Sequence, residues 1–257
     1  MKKLLVMLLV LAVAFALVAC SREEPERPVL RMATSAGFPP FEMWEGDRIV
    51  GFDPCLAAAI GNILGYDIEI VDMDFGAIIL SVQTGQVDFG MAGMTVRDDR
   101  RAYVDFSQGY FYSGQRVLVA TGGGITSTDD LARPGIHIGV QNATTGHIFA
   151  DENFPDASVD AYPLFADAVM ALIAGAVDAV IIDVLPGYEF ARVNEGRIEL
   201  LDGILTAEYY GIAFQHGSPL TARFDDAINQ LRANSTFQGI YDYWIYRLPG
   251  ASRYVNP

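Results

Sequence analysis

The chain has 257 residues, and its 32 acidic side chains outnumber its 17 lysines and arginines to give a formal net charge of −15. This acidic body argues against nucleic acid as a partner, because nucleic-acid-binding surfaces carry clustered positive charge. Both lysines lie at positions 2 and 3, so every later side chain of fixed positive charge is an arginine. An arginine in a pocket of this chain is therefore informative.

The N-terminal segment predicts export. Lys2 and Lys3 precede an uninterrupted apolar run at residues 4–18, and Ala19 and Cys20 follow this run. The run is shorter than the ~20 apolar residues that a membrane-spanning helix needs. We therefore predict a lipoprotein signal peptide at 1–19, lipidation of Cys20, and an extracytoplasmic protein, in the periplasm or at the cell surface, that is anchored to the membrane by lipid.

Residues 20–28 are charged and contain prolines, which predicts a tether between the lipid and the body. With Cys20 assigned to the lipid, Cys55 has no partner for an intramolecular disulfide. The body must then be stabilised by its core, for which the remaining length suffices.

The first part of the body alternates predicted strands and helices, which favours an α/β fold with a mainly parallel sheet. The predicted elements are a strand at 29–34, a helix at 56–64, a strand at 67–71, a helix at 75–84 and a strand at 87–91.

The same alternation starts again after the glycine-rich segment 121–126, which predicts a second α/β lobe. Its predicted elements are a strand at 136–140, a helix from Thr145, a strand at 158–162, a helix at 165–174 and a strand at 176–183. The extended apolar segments 116–120 and 209–214 are interpreted as the crossings between the lobes. Amphipathic patterns predict helices at 220–233 and 236–246 that return to the first lobe. The expected division is lobe 1 at 29–112 and 213–257, with lobe 2 inserted at 113–212.

A series of short motifs then indicates a family. They are GFPPFE at 37–42, IVGFD at 49–53, FGAII at 75–79, GQVD at 85–88, AGMT at 92–95, VDFS at 104–107, GVQ at 139–141, TTG at 144–146 and VDAV at 177–180. In this order and spacing the chain resembles the polar amino-acid binding proteins of ABC importers, bacterial solute-binding protein family 3. The resemblance covers residues 30–246, and Pro54 and Cys55 depart from the usual family pattern.

The resemblance implies a two-lobed periplasmic binding protein-like fold of type II. It also implies an amino-acid ligand held between the lobes, a hinge movement on binding, an ABC transporter permease as partner, and no cofactor. Two alternatives stay open. One is an exported cyclohexadienyl or arogenate dehydratase; the other is a sensing module that acts with a membrane receptor. His137, His147 and His216 show no spacing typical of a metal site or a catalytic triad.

The resemblance assigns two charged residues to the ligand. Arg100 matches the arginine that binds the ligand carboxylate, and a guanidinium suits that role because it can donate two parallel hydrogen bonds. Asp183 matches the acid that pairs with the α-ammonium and ends an apolar strand, whereas Asp178 precedes that strand and is interpreted as structural.

Further ligand contacts are expected from residues at the ends of strands and from aromatic rings. Gly93 and Thr95 follow a strand in the first lobe, and Thr145 opens a helix at the equivalent place in the second. The aromatic candidates are Phe38, Phe75 and Tyr112. Ser35 is of interest because it is uncharged. Because Ser35 stands where relatives that bind cations can carry an acid, a cationic ligand is mildly disfavoured.

Overall fold

The computed structural model describes residues 26–247. Its strands are β1 (Val29–Thr34), β2 (Met43–Glu45), β3 (Arg48–Val50), β4 (Asp67–Asp72), β5 (Phe89–Gly90), β6 (Asp105–Phe106), β7 (Phe111–Ser113), β8 (Gln115–Ala120), β9 (His137–Gln141), β10 (Ser158–Tyr162), β11 (Ala179–Asp183), β12 (Ile198–Leu200), β13 (Glu208–Tyr210) and β14 (Ala213–Phe214). Its α-helices are α1 (Phe52–Leu64), α2 (Phe75–Gln83), α3 (Asp98–Arg101), α4 (Thr145–Asn153), α5 (Phe165–Ala174), α6 (Val184–Val193), α7 (Leu220–Ala233) and α8 (Thr236–Tyr241). A 3₁₀ helix spans Thr128–Ala132, and a π-helical turn spans Asp242–Tyr246.

The first lobe is built on a five-stranded sheet of order β4-β1-β5-β14-β6. β1 runs parallel to β4 and β5, with Val29 opposite Asp67 and Met32 opposite Phe89. β14 enters antiparallel between β5 and β6. Helix α1 packs against β4 and α7, so α7 lies on the same sheet layer as α1.

The second lobe repeats this plan with a sheet of order β10-β9-β11-β8-β12. β9 is parallel to β10 and β11, while β8 lies antiparallel between β11 and β12. The predicted α/β fold is therefore confirmed. In each sheet four strands run in one direction, and one strand, β14 in the first sheet and β8 in the second, runs opposite to them beside the edge strand.

The crossings between the sheets agree only in part with those expected. Residues 116–120 belong to β8 inside the second sheet, and β14 in the 209–214 segment belongs to the first. The connection is the antiparallel pair β7 and β13, in which Tyr112 lies opposite Tyr209, so the start of the predicted 209–214 segment does cross and its partner is β7. Val117, Leu118 and Val119 are each at most 1% exposed because β8 is an interior strand covered on both faces.

Helix α1 begins at Phe52, four residues before the apolar run that predicted it. Pro54 is the third residue of the helix and lies in its first turn, where a backbone N–H has no intrahelical acceptor. Helices α5 and α7 have the predicted bounds. Helix α6 was not predicted; it follows Asp183 directly.

The signal peptide and Cys20 lie outside the described residues. At the end of the expected tether, Arg27 already contacts the body: its guanidinium donates to Asn62 Oδ1 at 3.0 Å and to Gly61 O at 2.8 Å. Within residues 26–247, none of the helices has both the length and the apolar character needed to span a membrane.

Candidate functional site

A narrow cleft lies between the two lobes, next to the ends of β5, β9 and β11. The structure brings seven of the eight predicted ligand contacts to this cleft: Phe38, Phe75, Gly93, Thr95, Arg100, Thr145 and Asp183. The remaining lining residues are Ser35, Glu42, Ala92, Gln141, Thr144 and Phe165. Shared placement shows that these groups can meet one small molecule; their individual roles as ligand contacts stay predictions.

Arg100 reaches the cleft from the short helix α3 and is only 6% exposed. Its Nη1 donates to Thr95 O at 2.8 Å, and its Nη2 donates to Ala143 O of the second lobe at 3.1 Å. The guanidinium also stacks on Phe75, 5.3 Å from the ring centroid. Burial lowers its pKa to about 10, so Arg100 is still a cation at neutral pH. The site thus offers a fixed, desolvated positive charge.

Asp183 ends β11 in the second lobe and is 4% exposed. Its Oδ1 accepts hydrogen bonds from Tyr210 Oη at 2.5 Å and Ser113 Oγ at 3.4 Å. Burial, and next the nearby charge of Glu208, raise its pKa to about 7. A cation placed beside Asp183 would favour its ionised form, which is the behaviour required of an acid that pairs with an ammonium group.

The two threonine hydroxyls face each other across the cleft and share one acceptor. Thr95 Oγ1 and Thr145 Oγ1 donate to Glu208 Oε2 at 2.6 and 3.0 Å. Thr144 caps α4, because its Oγ1 accepts from His147 N at 3.2 Å. Thr144 and Thr145 both line the cleft, so α4 begins beside it, and a helix N-terminus suits an anionic ligand group.

The backbone geometry at position 93 requires a glycine. Its φ is +52°, and a Cβ atom at this position would lie 2.5 Å from the Phe38 ring. Its backbone N–H donates to Asp53 Oδ2 at 2.8 Å. A larger residue would displace the ring that forms one wall of the cleft.

Of the three aromatic residues predicted to contact the ligand, two line the cleft. Phe38 stacks on Phe165 of the second lobe with ring centroids 5.5 Å apart, and Phe75 lies beneath Arg100. Tyr112 is not among the residues that line the cleft; its ring packs edge-on against Tyr209 at 5.1 Å. The reason is strand alternation: on β7 Phe111 and Ser113 are buried, and Tyr112 points to the opposite face.

Glu42 is an acid in the cleft to which the sequence assigned no role. It is 1% exposed, and burial together with the charge of Asp53 raises its pKa well above the usual value. Asp53 is also fully buried, accepts from Tyr110 Oη at 2.8 Å, and has a pKa raised to about 7 by burial. Both acids belong to motifs quoted above, so their positions were visible, but their proximity is a tertiary contact. The cleft thus contains an acid although Ser35 is uncharged.

Four other groups were missed because distant segments supply them: Gln115, Phe165, Glu208 and Tyr210. The three histidines stay apart. His137 and His216 pair with Asp160 and Asp105 at the surface, and His147 Nδ1 accepts from Ala143 N at 3.2 Å. Over the described stretch, no cluster of histidine, cysteine and acidic side chains is arranged to hold a metal ion.

The sequence as a whole matches a known family model. Residues 30–247 match the model of bacterial extracellular solute-binding proteins, family 3. The chain is 33% identical to the arginine-binding extracellular protein ArtP of Bacillus subtilis, over 95% of this chain and 98% of that protein.

Solved structures give the same result. An ancestral arginine-binding protein, solved bound to arginine and bound to glutamine, is 34% identical with a TM-score of 0.81 and covers 85% of this chain and 98% of its own. The ancestral amino acid-binding protein AncCDT-1, a precursor of cyclohexadienyl dehydratase, is 31% identical with a TM-score of 0.79, over 84% of this chain and 95% of its own.

Proposed function

The chain belongs to family 3 of the bacterial extracellular solute-binding proteins, and from this premise we propose that it is the extracytoplasmic substrate-binding component of an ABC importer for an amino acid. One observation supports this most directly: Arg100 and Asp183, opposite in charge and buried, come from different lobes and line one cleft. A free α-amino acid carries the two complementary charges. Neither lobe alone can satisfy both.

The binding mechanism follows from this division. The ligand carboxylate is held by Arg100 and the start of α4, and the ammonium by Asp183. Because the two anchors lie on different lobes, the ligand stabilises the closed arrangement, and β7 and β13 form the hinge. A permease that recognises the closed form then responds to the loaded protein. The lobe bounds that accompany this proposal are 29–112, 113–212 and 213–257.

The ligand class is narrowed by the far part of the cleft. Glu42 lies there, and the buried Ser35 Oγ has no hydrogen-bond partner among the described residues. Both groups can accept from a ligand side chain that carries N–H donors, as arginine and glutamine do. Relatives named for arginine binding and the ancestral protein solved with both amino acids point the same way. We therefore take arginine and glutamine as first candidates, in place of the mild preference against cations.

Calorimetry tests the proposal. Arg100→Ala and Asp183→Asn should each weaken binding of the preferred amino acid at least about a hundredfold, because a charge-assisted pair with the ligand is lost in a desolvated site. Arg101→Ala is the matched control, since this neighbouring side chain is exposed and outside the cleft.

Undiminished affinity in either variant would remove that residue from the site. Turnover of prephenate or arogenate by the parent protein would contradict a purely binding role and favour the dehydratase alternative. Co-purification with a receptor instead of a permease would favour the sensing alternative.

A further inference from the structure

Glu208 is a buried carboxylate on the crossing strand β13 and is 7% exposed. It accepts hydrogen bonds from side chains of three other segments and of its own. The donors are Thr95 Oγ1 at 2.6 Å, Thr145 Oγ1 at 3.0 Å, Gln115 Nε2 at 3.4 Å and Thr206 Oγ1 at 2.5 Å. These four donors fill the acceptor sites of the carboxylate.

The donors come from both lobes. Thr95 follows β5 in the first sheet, whereas Thr145 is the first residue of α4 in the second lobe. One oxygen, Glu208 Oε2, therefore joins a first-lobe hydroxyl to a second-lobe hydroxyl. The other oxygen is bound by Thr206, two residues away on the same segment.

The chemistry of these bonds sets the orientation of both hydroxyls. A threonine hydroxyl has one hydrogen, and in each case that hydrogen is directed at Glu208. The Thr145 oxygen also accepts from Gln115 Nε2 at 3.0 Å, and each hydroxyl oxygen is then available to the ligand only as an acceptor. The charge of Glu208 also favours the cationic form of Arg100 and raises the pKa of Asp183. Glu208 thus acts on each of the polar groups expected to meet the ligand.

Opening of the lobes bears directly on this arrangement. The backbone of Thr95 bridges to Tyr210 of β13, so rotation about the crossing pair keeps Thr95 beside Glu208 and moves Thr145 of the second lobe relative to both. At least one of the two bonds must lengthen or break. Bonds to a carboxylate are among the stronger hydrogen bonds in proteins, so their loss opposes opening.

We propose that Glu208 is a positioning residue that ties both lobes to the hinge through Thr95 and Thr145 and so favours the closed arrangement. The tie itself is independent of any ligand. Its consequence for affinity rests on the proposed function: a protein that spends less time closed binds its ligand more weakly in proportion.

Distance measurement between the lobes tests the tie without ligand. Nitroxide labels on Leu80→Cys in the first lobe and Glu152→Cys in the second, both exposed in the parent, are placed in the full chain with Cys20 and Cys55 replaced by alanine. Glu208→Gln keeps the size of the side chain but replaces one acceptor oxygen by a donor. Its population at long distance should rise about tenfold relative to the parent.

Thr206→Val is the matched control. It removes the bond to Glu208 Oε1 and also the acceptor of the Gln115 backbone N–H at 2.9 Å. Neither bond involves the first lobe, so the distance distribution should stay at the parental value. If Glu208→Gln does not fold, Thr145→Val removes the second-lobe half of the tie and should open the protein in the same way. A parental distribution in Glu208→Gln, or equal opening in Thr206→Val, overturns the proposal.

The affinity arm uses L-arginine and L-glutamine as probes. Glu208→Gln should bind about tenfold more weakly, mainly through faster dissociation, with Thr206→Val unchanged. If the parent binds no amino acid, the proposed function fails while the label distances still decide the tie. If Glu208→Gln lowers the Tm but changes neither distances nor affinity, Glu208 has only a structural role and the proposal is wrong.

Discussion

Single residues of the cleft owe their properties to burial as much as to their identity. Asp183 and Asp53 are ordinary carboxylic acids whose pKa rises to about 7 in the folded protein, and burial is the first cause in both. Arg100 is held in place by carbonyl oxygens of both lobes. The sequence indicated which residue types belong to the site, but only the desolvation of the cleft makes Asp183 sensitive to a nearby cation near neutral pH.

The raised pKa of Asp183 predicts that the free energy of unfolding depends on pH. Between about pH 4 and pH 7, folded Asp183 retains a proton that the unfolded chain releases, so its contribution to stability is present at low pH and is lost as pH rises. The free energy of unfolding without ligand should fall over this window, with at most ~1.4 kcal/mol per pH unit from one group.

The measurement is urea denaturation at several pH values for the parent and Asp183→Asn. In the variant, the pH dependence of the free energy of unfolding should lack the contribution of Asp183 and retain that of Asp53. Ligand affinity should show the opposite trend, because an ammonium favours ionised Asp183. Identical slopes in parent and variant would contradict the assignment.

At the scale of elements, helix beginnings supply much of the site. Helix α4 starts at the cleft because Thr144 caps it, and the preceding Ala143 has φ +62°. The Thr144 hydroxyl also donates to Gln141 O at 2.8 Å, which fixes the turn between β9 and α4. This double use makes Thr144 important although it was not among the predicted contacts.

Replacement of Thr144 tests the cap. Thr144→Ala should reduce the free energy of unfolding by about 1 kcal/mol, because the His147 N–H loses its acceptor. Thr144→Ser retains the hydroxyl and should recover most of this loss. Denaturant titration measures both. If the serine variant were as unstable as the alanine variant, the hydroxyl would not be the stabilising group.

At the scale of the whole molecule, two five-stranded sheets with the same pattern of strand directions are joined by a short antiparallel pair. The position of the cleft follows from this plan, because the ends of β5, β9 and β11 meet between the lobes. Residues 1–25 precede the described body, and for them we propose a cleaved signal peptide and a lipid at Cys20.

The proposed anchor is tested by membrane fractionation. The parent protein should sediment with membranes and incorporate labelled fatty acid. Cys20→Ser should be exported but recovered in the soluble fraction, because it lacks the thiol to which lipid is attached. Cys55→Ser is the matched control and should behave as the parent. Unchanged membrane association of Cys20→Ser would contradict lipid anchoring.

The sequence by itself determined the family, the α/β alternation and most of the lining of the cleft, because these follow from local patterns and from ordered motifs. Helices α5 and α7 have the predicted bounds since their apolar periodicity is unambiguous. The two interlobe charges were also visible from the sequence, as one ends a strand and the other follows a motif.

Tertiary structure alone decided which segments cross between the lobes and which side chains meet. An apolar run such as β8 has the same pattern whether it links two lobes or lies inside a sheet. Only its pairing with β11 and β12 in the structure distinguishes the two. Tyr112 does not line the cleft, because strand alternation places its side chain on the opposite face of β7. Glu42 lines the cleft, and Glu208 and Tyr210 bind residues that line it, because burial and contact depend on the packing of segments far apart in the chain.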